Sequence, residues 1–176
     1  MRKITLTVLL LSALSFFAQA QEKTFSISGK IELDKGNLLV LTQRPGKIDT
    51  LAKTAIANRQ FSISGTTEEA VVAQLVIEGY AGGFVMILEP GEEYTANLTQ
   101  NGNGDIRGGK LQTAYNEYQK IVVNANAESR ALNKKASEAA AQKHFKTSKE
   151  LQTKANKVQE AAFAKMNNIV RKNADN

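Results

Sequence analysis

The chain has 176 residues, with 23 Lys and Arg against 17 Asp and Glu, one histidine and no cysteine or tryptophan. The lack of cysteine excludes disulfides, thiolate metal sites and thiol redox chemistry within this sequence. Charge is unevenly divided: residues 21–109 carry 8 basic against 11 acidic side chains, and residues 110–176 carry 13 against 6.

The first twenty residues read as an export signal. Arg2 and Lys3 form a positive start, and residues 4–17 are apolar apart from Thr5, Thr7, Ser12 and Ser15. Ala18-Gln19-Ala20 then supplies a small-x-small cleavage pattern, so Gln21 is the expected first residue of the mature chain. The apolar run is shorter than the ~20 residues a spanning helix needs. The expected location is therefore the periplasm or cell envelope, reached through a cleaved signal peptide, with no membrane span in the mature chain.

All twelve glycines and both prolines lie between Gly29 and Gly109. These residues build turns and break helices, so they predict a β-domain over 21–109 and a helical region over 110–176. Within the β-domain the pentapeptide Phe-Ser-Ile-Ser-Gly occurs twice, at 25–29 and 61–65. Each copy alternates apolar with polar and ends in glycine, the pattern of a half-buried strand entering a turn. Phe25, Ile27, Phe61 and Ile63 are expected to share one core.

Between the copies, residues 37–43 form a buried strand on the apolar run Leu38, Leu39, Val40 and Leu41, closed by Arg44-Pro45-Gly46, and 47–56 a weaker strand. Residues 70–78, 83–89 and 93–98 form an expected meander, turning at Gly79-Tyr80-Ala81-Gly82 and at Pro90-Gly91. Asn101-Gly102-Asn103-Gly104 turns into a last short strand at 105–107. Seven or eight strands at this spacing predict an antiparallel β-sandwich or partly open barrel within an α+β chain.

Gly108-Gly109 leads out of the sheet. Leu111, Ala114, Tyr115, Tyr118, Ile121, Val122 and Ala125 then recur at helical spacing, as do Leu151, Ala155, Val158, Ala162, Met166 and Ile169. A helical hairpin is expected, broken near 124–129 or at Thr147, where Thr147-Ser148-Lys149-Glu150 matches a capping box. The basic helices are not those of a nucleic-acid reader in an exported chain. They suit an acidic envelope surface or a protein partner, or else are a solvated face.

Few side chains offer chemistry. His144, the single histidine, lies among Lys143, Lys146 and Lys149 without a nearby carboxylate to orient it, so a catalytic triad is not expected. Glu89, Glu92 and Glu93 flank the Pro90-Gly91 turn, and strand alternation sends Glu92 and Glu93 to opposite faces. Asn101-Gly-Asn-Gly-Asp105 lacks the spaced ligands and closing glutamate of a calcium loop. The glycines at 79, 82 and 83 do not match a phosphate cradle. No catalytic, metal or cofactor site emerges, and Tyr80, in a glycine-rich loop, is the candidate contact residue.

Taken in order, several short motifs resemble one family. They are the Phe25-Ser-Ile-Ser-Gly29 strand, Ile48-Asp49-Thr50, Asn58-Arg59-Gln60-Phe61-Ser62-Ile63-Ser64-Gly65, and the 84–88 strand running into Glu89-Pro90-Gly91. The Gly108-Gly109 exit to a helix bearing Tyr115 and Tyr118 completes the set. Together they resemble a domain of unknown function of Gram-negative envelope proteins, found ahead of thioredoxin-like domains of the thiol-disulfide oxidoreductase or peroxiredoxin type. The resemblance implies a non-catalytic accessory or binding module, without cofactor. Its expected partner is a thioredoxin-like envelope protein, or a second copy met through the helices. The alternative it implies is a fragment of a periplasmic thiol-disulfide oxidoreductase lacking its Cys-x-x-Cys domain.

Overall fold

The computed structural model describes residues 23–99, 102 and 104–174; the expected signal segment lies outside them, as do Asn101 and Asn103. Eight strands precede two helices: β1 (Thr24–Ile31), β2 (Lys35–Arg44), β3 (Lys47–Ala57), β4 (Gln60–Thr66), β5 (Val71–Ile77), β6 (Phe84–Leu88), β7 (Glu93–Leu98), β8 (Gly104–Arg107), α1 (Lys110–Ala141) and α2 (Phe145–Lys172). The α+β division and the helical hairpin are those the sequence predicts. The strands form one sheet in the order β6-β5-β2-β3-β4-β1-β7-β8. Every pairing is antiparallel except β1 with β7, which makes the sheet mixed.

The two pentapeptides pair with each other. β1 and β4 run antiparallel in a register that sets Phe25 opposite Gly65, Ile27 opposite Ile63 and Gly29 opposite Phe61. Each phenylalanine thus faces the other copy's glycine. A Cβ on Gly65 would lie 2.6 Å from the Phe25 ring, and one on Gly29 would overlap the Ala96 carbonyl of β7. The terminal glycines are packing requirements of the repeat as much as turn formers.

Alternation puts one face of every strand inward, and Phe25, Ile27, Phe61 and Ile63 all join a single buried cluster with Leu38, Val40, Leu75, Met86, Leu88, Tyr94 and Leu98. One cluster served by all eight strands requires the sheet to curl on itself. Curvature is helped by a register shift at Val40/Leu41 on β2, opposite Leu51 on β3. The ends of the sheet nearly meet: a Cβ on Gly104 of β8 would lie 2.7 Å from the Phe84 ring of β6. The result is barrel-like, with one seam.

The helices pack as an antiparallel pair. On α2 the buried residues Ser148, Ala155, Ala162 and Ile169 are spaced by seven, and Ala125, Ser129 and Ala136 are buried on α1. A heptad seam implies a left-handed coiled coil, and small residues along it allow a close approach. Gln159 Nε2 donates to the Ala125 carbonyl and to Asn126 Oδ1, both at 3.3 Å, which sets the register between the helices.

The helix break falls at neither expected place. Residues 124–129 are inside α1, and Thr147 is inside the first turn of α2. The chain turns at Lys143, whose φ is 63°. Its N–H bonds the Ala140 carbonyl at 2.9 Å, and the His144 N–H bonds the Ala139 carbonyl at 2.8 Å. These two bonds form a Schellman motif with lysine at the left-handed position that glycine normally takes.

Candidate functional site

The two sheet edges, β6 and β8, run in the same direction and are not paired with each other. Unpaired edge groups invite foreign strands unless they are covered. The first turns of α1 cover them. Gln112, only 1% exposed, lies under the helix. Its Oε1 accepts from the Ile87 N–H of β6 at 2.7 Å. Its Nε2 donates to Asn116 Oδ1 at 2.8 Å, and Asn116 Nδ2 donates to the Ile106 carbonyl of β8 at 2.7 Å. Two amides four residues apart sit on one helix face, and each is both donor and acceptor, so together they bridge a donor on one edge to an acceptor on the other.

A second set of contacts fixes where α1 begins. Glu89 Oε2 accepts from the Leu111 N–H at 2.9 Å, placing a carboxylate at the positive end of the helix. The Tyr94 hydroxyl accepts from the Glu89 N–H at 2.8 Å. Burial pushes the Tyr94 pKa up to about 12 and the Glu89 and Glu92 charges act the same way, against the lowering effect of the Glu89 backbone bond. Gly108 and Gly109 have φ of 123° and 61°. A Cβ on Gly109 would overlap the Glu89 carboxylate and lie 2.9 Å from the Tyr94 hydroxyl, and one on Gly108 would overlap the Glu93 carbonyl. The glycine pair, Glu89, Tyr94, Gln112 and Asn116 therefore act together, holding the helical arm to the barrel at a set angle.

The residues singled out in the sequence are not brought together. Glu89 is half-buried and caps α1, whereas Glu92 and Glu93 are exposed. Asp105 is held by Arg107 in a two-point ion pair, at 2.6 and 3.1 Å. His144 is exposed at the N-cap of α2 and makes no side-chain capping bond. Tyr80 is 54% exposed. With Leu33, Ile77, Phe84 and Gly102 it lines a shallow, mainly apolar pocket of about 60 Å³. That is far below the roughly 300 Å³ at which small-molecule sites begin. Among the described residues, no group of three His, Asp or Glu is placed to hold a metal ion. No helix among them is long and apolar enough to cross a membrane.

Sequence reasoning missed Gln112 and Asn116. In a basic, amide-rich helix they read as solvent-facing, and no pattern in the sequence distinguishes the buried Gln112 from its exposed neighbours.

A barrel-like α+β module carrying a helical arm is the class that the fold and this junction define. The chain belongs to the family described as Domain of unknown function (DUF4369), whose model matches residues 25–115. The match takes in the sheet from Phe25 onward and runs past Gln112 into α1. No curated protein matches the chain. Among solved structures, a 9R-lipoxygenase from Cyanothece PCC8801 is similar at 13% identity over 52% of this chain and 14% of that one, with a TM-score of 0.27. So slight a likeness carries no argument.

Proposed function

We propose that this is an exported, non-catalytic accessory module that holds a helical arm in a set orientation for a partner protein. The observation behind the reading is the junction: Glu89, Gln112 and Asn116 bond the start of α1 into the barrel, so the arm is a rigid projection of the sheet. Such a projection suits positioning. The proposed partner is a thioredoxin-like envelope protein, which rests on the motif resemblance. Lys146, Lys149, Lys154 and Lys157, gathered on the outer side of α2, are the proposed docking charges for an acidic surface.

Cutting the chain at residue 109 would strip the seam of its cover, so the test keeps the chain whole. Tagged chain is recovered from the envelope beside a variant with Lys149, Lys154 and Lys157 changed to Glu. The expected result is a mature N-terminus at Gln21 and a thioredoxin-like protein that copurifies with the parent chain and is lost with the variant. Retention in the cytoplasm would overturn export, and equal or no recovery of such a protein would overturn the partner.

A further inference from the structure

The two flanks of the helical hairpin differ in a way its core does not require. At 3.6 residues per turn, the positions beside the seam fall on two flanks. One is marked by a shallow groove that includes Ile121, Glu128, Ala161 and Lys165, and it is continued by Glu117, Lys135, Glu138, Lys154 and Lys157. The other is marked by the Gln159 bond to Asn126. On this second flank, exposed amides predominate, among them Gln119, Asn126, Asn133, Gln152, Asn156 and Gln159. The charges there are few: Arg130, Lys149 and Glu160.

The exposed large apolar side chains of the helices also fall on this second flank. They are Val123, Phe145, Phe163 and Val170, at 62%, 68%, 61% and 57% exposure. Phe163 and Val170 are one heptad apart and each directly follows a buried seam residue, Ala162 and Ile169. Two exposed phenylalanines along an amide-rich helical face are not what a solvated arm needs.

We infer that this flank pairs with the same flank of a second copy of the chain, so that two hairpins form a four-helix bundle. Three properties select a second copy. Amides are donors and acceptors at once, so a row of them is complementary to itself under a two-fold axis. This flank also carries fewer charged side chains than the groove flank, so two copies meet there with the fewest charges to desolvate. Its extent also fits. α2 has 28 residues, so the flank is about 40 Å long, and two adjacent helices make it about 20 Å wide. That offers roughly 800 Å² per copy, the usual size of a specific interface. Of the outer lysines of α2 the pairing reaches only Lys149, and it does not depend on export or on the partner proposed above.

The cysteine-free sequence gives a direct test, because an introduced cysteine is the only thiol. Gln159→Cys and Ala161→Cys, on opposite flanks, are each treated with a short bis-maleimide in the full chain, and the parent chain is examined by sedimentation equilibrium. A dimer in the micromolar range is expected, with cross-linking between copies for Gln159→Cys and none for Ala161→Cys. The Phe163→Glu/Val170→Glu variant is expected to keep its helical circular dichroism and to self-associate about 100-fold more weakly or worse. A parent chain monomeric into the hundred-micromolar range would overturn the inference. So would cross-linking at Ala161→Cys alone, or a dimer indifferent to the Phe163/Val170 change. A monomer in which Phe163→Cys is shielded from a thiol reagent would also overturn it, since another segment of the chain would then cover the flank.

Discussion

The barrel and the arm are held together by different means. In the barrel, Phe25, Ile27, Leu38, Leu75, Met86, Leu88, Tyr94 and Leu98 are each at most 2% exposed and lock into one cluster across strands distant in sequence. In the arm, the seam buries mainly alanine and serine. Burying a methyl group contributes on the order of 1 kcal/mol, against about 2 to 3 for a leucine or phenylalanine. The barrel is stabilised by bulk, and the arm by close approach and by its attachment. The barrel's core therefore draws on its own packing and takes from the arm only the cover of its edges, whereas the arm depends on the junction at one end and on its amide-rich flank.

The largest expected effect breaks the barrel side of this comparison. Phe25→Ala removes a fully buried ring that packs over Gly65 and should cost about 3–5 kcal/mol in chemical denaturation. Next comes the junction. Gln112→Leu keeps the side chain's bulk but leaves the Ile87 N–H and the Asn116 amide without their partner, an expected loss of about 1–3 kcal/mol. It should be accompanied by faster proteolysis near residues 108–112, which Phe25→Ala need not show selectively.

Tyr94 sharpens the same point through pH. Its pKa rises from 10.0 to about 12 on folding, so the neutral hydroxyl is the form the fold favours. The stability linked to it is complete below pH 10 and is lost as pH rises through the folded value. Denaturation midpoints measured from pH 9 upward should fall more steeply for the parent chain than for Tyr94→Phe. The smallest effect lies in the arm's turn. Lys143→Gly relieves a left-handed lysine and should stabilise the hairpin by about 1 kcal/mol, read as a small rise in the helical melting temperature.

Much of the fold is written locally in the sequence. The alternation in Phe-Ser-Ile-Ser-Gly shows a strand, and the confinement of glycine and proline to the first part of the chain separates sheet from helices. The strand order is not written locally: β1 pairs antiparallel with β4 and parallel with β7, and both pairings are chosen by the closing of the barrel. The helix break was hidden because Lys143 takes a conformation that a search for glycine, or for a capping box at Thr147, passes over. The junction was hidden because a glutamine and an asparagine look alike whether they face water or the edge of a sheet.

Native-state hydrogen exchange tests the attachment of the arm most directly. The Ile87 and Leu111 amides, donors to Gln112 and Glu89, should exchange only with global opening of the barrel, like those of β1 and β5, while amides around residues 136–150 exchange through a lower-energy opening. If Ile87 and Leu111 instead open together with the far end of the hairpin, the junction is part of a loose arm and the rigid-projection reading is wrong.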